Sequence, residues 1–277
     1  MLDLVRVPAD SGEQHSYGMT LSSSEELVRA LMLEHPIPGE GRFGCYLIPG
    51  ASPYSDIARS VECNVFNHFF GNTAAVMHGA YGPYEKSSQF FLVVDRVAHC
   101  PAGTLRVIAN SERGLKSLND IALAPLSISE RAVCDYHDIS SLDQCWDIGT
   151  LAVLKDYRSQ QQDHQVSTML YGVLHRAAIQ EGVHHAVTVL DRHAYTQLTQ
   201  MLAIPFEPIV GSEPFDYLGS PKSRAVYLYF PNVVPSVETH LGHLDDTTRR
   251  TLRPYVARVI YAEGVPAVVS VPPPPSA

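Results

Sequence analysis

Asp147 stands between Trp146 and Ile148 at the head of an apolar run. A carboxylate so flanked is partly desolvated, and its pKa rises toward the range where it can take a proton at neutral pH. Arg106 alternates with apolar Leu105 and Val107. An arginine at such a position can point into a pocket and hold a carboxylate with both arms of its fork. Arg59, Glu62 and Phe66 recur at i, i+3 and i+7, so a helix sets them on one face. Further on, a polar stretch over 155–165 contains Arg158 and leads into Val166, Met169, Leu170, Val173, Leu174 and Ala177 at helical spacing. Ser167 and Thr168 fall in the first turn of that helix, where side-chain oxygens can cap free N–H groups, and Gly182 falls where a helix C-terminus favours glycine. A strand, a polar loop and a helix N-terminus in succession suit a phosphorylated ligand held beside a strand end.

The elements that must position these groups follow from periodicity and breakers. Ser22 to Glu26 precede Leu27, Val28, Ala30, Leu31 and Leu33, which predicts a short capped helix stopped by Pro36 and Pro38. Strands are expected over 43–48, 90–94, 103–109, 148–154, 186–190 and 225–230, the second and third joined as a hairpin through Pro101 and Gly103. Helices are expected over 55–70, 166–181 and 193–202, with a further one over 247–260 bent or delayed by Pro254. The segments 114–124 and 129–136 read as short helices or loop, and the prolines of 272–275 as a solvated tail. With no repeat and no linker, the expectation is one α/β domain over 1–277. Its core spans about 43–232, with an N-terminal extension over 1–42 and a C-terminal one over 233–277.

Composition narrows the function classes. At 277 residues, 45% hydrophobic and 18% charged, the chain can bury a substantial core. Its net charge of −9, from 29 acidic and 20 basic residues, argues against a nucleic-acid partner, whose affinity comes from neutralising phosphates. The five cysteines fit no CxxC motif and read as reduced thiols of a cytoplasmic protein. Cys145 has no histidine placed by sequence to activate it. The first residues lack the apolar core of a leader, and no run of 18 apolar residues offers a membrane span. His184, His185, His193, His240 and His243 lack zinc-ligand spacing, so no metal is expected.

Two segments carry a resemblance. Trp146-Asp147-Ile148-Gly149-Thr150-Leu151-Ala152-Val153 resembles the strand W-E-I-S-R-F-A-V of acyl-homoserine lactone synthases and the related long-chain N-acyl amino acid synthases, within the GNAT acyltransferase superfamily. Gly103 to Ile108 resembles their G-x-x-R-L-L segment, and the likeness extends over roughly 55–232. It implies a GNAT-like mixed central sheet flanked by helices, with two parallel central strands diverging beyond Val153 to expose backbone to a thioester arm. It implies acyl transfer from an acyl-CoA or acyl-carrier-protein thioester to the amine of a small metabolite or amino acid. Asp147 takes the place of the family's catalytic Glu. Arg106, Arg59, Glu62 and Phe66 fall at the acceptor site, and Leu151, Ala152 and Val153 beside the thioester. Arg158, Gln165, Val166, Ser167 and Thr168 fall at the donor phosphates.

Three departures sharpen the expectation. The family's phosphate motif R/Q-x-x-G-x-G/A aligns with Gln162-Asp163-His164-Gln165-Val166-Ser167, so both small positions are filled by larger residues. Thr150 replaces the lactone synthases' Arg, and Gly149 their Ser. Trp146 is the only tryptophan, so their N-terminal Trp is missing. These speak against lactone production from S-adenosylmethionine and leave acylation of a small amine. Two other uses of the fold remain open: a non-catalytic binding or sensor protein, and other thioester chemistry such as decarboxylation.

Overall fold

The computed structural model describes residues 17–158 and 164–273. Thr20 opens α1 (Leu21–Glu34) by accepting from the Ser23 N–H, and β1 (Phe43–Pro49) follows. Apolar Ile57, Val61 and Val65 line the inner face of α2 (Ser55–Phe70), which ends at Gly71 in the left-handed region with φ 71°. After α3 (Ala74–Tyr81) and the 3₁₀ turn Gly82–Ser87 come β2 (Ser88–Asp95) and β3 (Cys100–Ala109), an antiparallel hairpin. Two short helices, α4 (Lys116–Ile121) and α5 (Glu130–His137), lead to β4 (Cys145–Val153). Then come α6 (Gln165–Gln180), β5 (His185–Leu190), and α7 (Arg192–Thr196) running on into a π turn. The chain closes with β6 (Glu207–Pro208), β7 (Phe215–Tyr217), β8 (Ser220–Tyr229), α8 (Val233–His243), α9 (Asp246–Tyr261) and β9 (Val268–Ser270).

Among the described residues the strands form one mixed sheet in the order β6-β8-β5-β4-β3-β2-β1-β9, with β7 paired onto β8. Only β4–β5 and β1–β9 are parallel. Side chains alternate between the faces, as period-2 strands require. Phe91, Leu105, Trp146 and Leu228 pack under α6, α8 and α9 on one face. On the other, Tyr46, Ile48 and Leu92 meet α1 and α2, while Cys145 and Val187 meet α4 and α5.

The central pair departs from regular pairing. β4 and β5 pair only at Cys145–His185, Trp146–Ala186 and Asp147–Val187. Beyond Asp147 they part, six residues earlier than the resemblance implied. The Thr188 hydroxyl donates to the Ile148 carbonyl at 2.7 Å and ends the ladder there. On its other edge β4 stays paired with β3 through a bulge: Val107 faces Ile148, Arg106 faces Thr150, and Gly149 is the extra residue. The bulge turns two consecutive positions to one face. A Cβ on Gly149 would lie 3.3 Å from the Tyr81 ring and 3.4 Å from Arg106 Cδ, while Thr150 reaches Glu62 on the same side.

Several elements differ from the sequence expectation. α3 and α8 were not expected; α3 has eight residues, and Pro235 interrupts the pattern of α8. β9 was not expected either; it precedes the proline run and adds a parallel strand to β1. Pro254 lies inside a continuous α9. α6 and α9 cross closely enough that a Cβ on Gly172 would lie 2.3 Å from the Arg258 carbonyl oxygen. Backbone cannot yield there as a flexible side chain would. Gly172→Ala should therefore destabilise the protein by about 1–3 kcal/mol, the scale of core overpacking, with the loss read from urea unfolding midpoints. An unchanged midpoint would show that the two helices separate freely.

Candidate functional site

A cavity of about 690 Å³ opens where β4 and β5 part. It runs through the sheet, because its lining comes from both faces: Leu174, Phe230 and Ile260 from one, Phe66, Tyr81 and Tyr217 from the other. Most of the lining is apolar, as ligand sites generally are. One end lies near the start of α6, where Arg158, His164 and Ser167 border it. There the Arg158 guanidinium sits 4.4 Å over the Phe69 ring and donates from Nε to the Val153 carbonyl. His164, at φ 49°, precedes α6, and its side chain does not cap the first N–H groups of the helix.

The other end is lined by hydroxyls: Tyr81, Thr150, Thr188, Tyr217, Ser220 and Ser223. Behind it lies a buried ionic network. Arg106, fully buried, donates from Nε to Glu62 Oε1 at 3.0 Å and from Nη2 to Glu62 Oε2 at 2.7 Å. It also donates from Nη1 to Glu85 Oε1 at 3.1 Å and from Nη2 to the Tyr17 hydroxyl at 3.1 Å. Its guanidinium is stacked between Phe90 at 4.5 Å and Tyr81 at 4.7 Å. Arg59 donates to Glu85 Oε2 at 2.8 Å and to the Gly50 carbonyl at 2.7 Å, and pairs with Asp56. Burial alone would raise the Glu85 pKa, but Arg106 and Arg59 outweigh it and hold that carboxyl at about 2. Thr150 hands its hydroxyl hydrogen to Glu62 and so ties the bulge of β4 to α2.

The predicted site residues do not gather in one place. Phe66, Leu151, Val153, Arg158 and Ser167 border the cavity. Arg59, Glu62 and Arg106 lie together in the network behind it and are 0% exposed. Arg106 therefore cannot reach out to a ligand carboxylate, because Glu62 and Glu85 already fill its fork. Ala152, Val166 and Thr168 are buried in the protein. Gln165 starts α6 and is half-buried. Ser167 and Thr168 do not cap N–H groups; their hydroxyls donate back to the His164 carbonyl at 2.9 and 3.1 Å. Gln162 and Asp163 of the aligned phosphate motif lie outside the described residues.

Asp147 is the third residue of β4 and faces α4, away from the cavity. Its Oδ1 accepts from the Ser117 hydroxyl at 2.7 Å and its Oδ2 from the Ser117 backbone N–H at 2.5 Å. Burial pushes its pKa up to about 6, against the opposing pull of Ser117 and Lys116. The expected rise occurs, but in a carboxylate occupied by Ser117. Cys145 is likewise sealed, and burial pushes its thiol well up.

Sequence reading did not reach Tyr81, Thr188, Tyr217 or His175 as site residues. His175 borders the cavity from α6; burial lowers its pKa, and its Nε2 is buried without a hydrogen-bond partner. Thr150 was visible only as a departure from the family strand. Among the described residues no group of three or more His, Cys, Asp or Glu side chains could hold a metal ion, and no helix is long and apolar enough to cross a membrane.

Comparison with solved structures decides the fold. FeeM, an N-acyl amino acid synthase from uncultured soil microbes, superposes with a TM-score of 0.52 at 13% identity, over 71% of this chain and 94% of that one. BjaI, a CoA-dependent acyl-homoserine lactone synthase solved with SAM and isopentyl-CoA, gives a TM-score of 0.51 at 12% identity, over 84% and 95%. The chain has the GNAT fold. No family model matches the sequence, and no curated protein matches it. In this GNAT fold the parted strands, the bulge and the buried network supply the geometry of the site.

Two outcomes follow from the burial. Arg106→Met leaves Glu62 and Glu85 without their main cation, so stability should fall by about 3–5 kcal/mol, the cost of breaking a buried pair. A fully stable variant with only a raised acceptor KM would instead put Arg106 in the ligand site. For Asp147, the folded pKa of about 6 lies above the ordinary 3.8, so the folded state holds more protons between those values. Its contribution therefore falls as pH rises from about 4 to 6 and stays low above. The stability difference between wild type and Asp147→Asn should change by ~2–3 kcal/mol across that window. A flat difference in urea unfolding from pH 4.5 to 7.5 contradicts the assignment.

Proposed function

We propose that the protein transfers an acyl group from a thioester, on CoA or an acyl carrier protein, to the amine of a small metabolite. The observation that carries this reading is the parting of β4 from β5 beyond Asp147, with a cavity passing through the sheet at that opening. A donor enters from the α6 end. Arg158 and the backbone N–H groups of Gln165, Val166 and Ser167 at the start of α6 meet its phosphate, and a flexible arm lies along Leu151 to Val153. The apolar body of the cavity, among Leu174, Leu198, Phe206 and Val259, takes the acyl chain. Each buried methylene adds about 0.8 kcal/mol to binding.

The amine approaches from the hydroxyl-lined end. Its lone pair attacks the thioester carbonyl carbon, the carbon–sulfur bond breaks, and the thiolate leaves with the proton the nitrogen sheds. The products are an amide and a free thiol. Thr150 accepts a hydrogen bond from the attacking nitrogen while Glu62 holds the Thr150 hydrogen. Asp147 holds Ser117 and α4 against β4 and acts through that placement. Cytoplasmic residence and a carrier-protein donor remain part of this reading.

Release of free thiol, measured with a panel of acyl-CoA thioesters and primary amines, tests it. Amine-dependent release is expected. Arg158→Met should raise the KM for the thioester about 10-fold, on the scale of one charged hydrogen bond, with the difference shrinking as salt is added. Thioester binding without release under any amine would favour the sensor alternative.

A further inference from the structure

Five of the six hydroxyls at the inner end of the cavity, all but Ser220, have their hydrogens committed to protein acceptors. The Tyr81 hydroxyl donates to the Gly149 carbonyl at 3.0 Å, Thr188 to the Ile148 carbonyl at 2.7 Å, and Tyr217 to Asp120 Oδ2 at 2.6 Å. Thr150 donates to Glu62, and Ser223 donates to the Ser220 carbonyl at 3.2 Å. Burial raises the pKa of both Tyr81 and Tyr217, so both phenols keep the hydrogen they donate. A hydroxyl has one hydrogen and two lone pairs. With these hydrogens committed inward, what the wall offers a ligand is lone pairs.

The charges behind the wall point the same way. Glu62, Glu85, Asp120 and Asp147 lie there with Arg59, Arg106 and Lys116, and Asp56 adds a further carboxylate beside Arg59. The cations are bound to protein acceptors. Lys116 donates to Asp120 and, at 2.6 Å, to the Tyr217 hydroxyl, with its ammonium 4.6 Å from the Tyr81 ring centroid. None of the three borders the cavity; among the described residues the arginine that does is Arg158, at the opposite end. A ligand carboxylate placed against this wall meets mainly oxygen lone pairs, backed by five carboxylates against three cations, with few donors to replace its water. An ammonium or amine meets acceptors for its N–H groups and a favourable field.

We propose that the acceptor is a primary amine carrying no carboxylate next to the reacting nitrogen, rather than an amino acid. The proposal rests on the acyl-transfer reading for the end at which the amine enters. It names the chemistry that wall selects, which is the reverse of an acceptor held through its carboxylate by Arg106. Thr150 is the residue that touches the nitrogen, and Glu62 is a positioning residue that fixes the Thr150 hydrogen.

Matched pairs differing only in the carboxylate test it: tyramine against tyrosine, agmatine against arginine, and n-alkylamines of four to ten carbons against the corresponding 2-amino acids. Binding is measured by calorimetry with the full chain, with and without a non-reactive thioether analogue of the donor, and thiol release is measured alongside. At least one amine should bind 10-fold or more tighter than its amino-acid partner. Thr150→Val should weaken that amine at least 5-fold while the variant stays folded, and Thr150→Ser should restore it. Amino acids that bind as tightly as their amines, no binding by any amine, or a folded Thr150→Val with unchanged amine affinity would each overturn the proposal. Selective amine binding without thiol release would overturn the acyl-transfer reading and leave the wall's selectivity standing. Release with amino acids alone would do the opposite.

Discussion

Two central strands pair for three residues and then part, and the rest of the site depends on that parting. A parallel pair would ordinarily continue, since an unpaired strand edge inside a protein leaves N–H and C=O groups unsatisfied. Here specific groups offset that cost. Thr188 takes the Ile148 carbonyl, Tyr81 the Gly149 carbonyl and Arg158 the Val153 carbonyl. Gly149 permits the bulge because a side chain there would press on Tyr81 and Arg106. The result is an opening through the sheet, bordered by strand edge on two sides and by helices on both faces.

The buried ionic network holds β4 in this shape. Arg106 on β3 and Glu62 on α2 form a bidentate pair, and Glu62 in turn receives Thr150 from the bulge. Such a pair in the interior adds little net stability compared with apolar residues of the same size, but it is costly to break. Its value here is geometric. It fixes the spacing of α2, β3 and β4 by directional bonds that an apolar contact does not supply. It also leaves the inner end of the cavity with committed hydroxyl hydrogens and a surplus of carboxylates. The α6 end, with Arg158, has the opposite character, which is why the proposed thioester phosphate and amine are assigned to different ends.

Much of the fold was legible from periodicity. The expected bounds of α2 match the structure, and those of α6 and β5 differ by one residue, because each carries an unbroken apolar pattern between clear breakers. β9 was not legible, because three residues beside a proline run hold no pattern until β1 offers an edge. The site was legible in part. Alternation indicated that Arg106 points inward, but its partners Glu62 and Glu85 lie 44 and 21 residues away, and only the fold brings them to it. Asp147 read as a strand-end carboxylate because β4 begins three residues earlier than expected, at Cys145, and the side chain faces α4. Tyr217 and Thr188 enter the wall from strands whose sequence carries no motif.

The central claim is that a thioester lies through the opening between β4 and β5. A crystal structure with a saturating non-reactive thioether analogue of a medium-chain acyl-CoA tests it most directly. The account predicts the sulfur beside β4 beyond Asp147, the acyl chain among Leu174, Leu198 and Val259, and the phosphates near Arg158 at the start of α6. An analogue bound elsewhere on the surface, with the cavity between the parted strands unfilled, would contradict it.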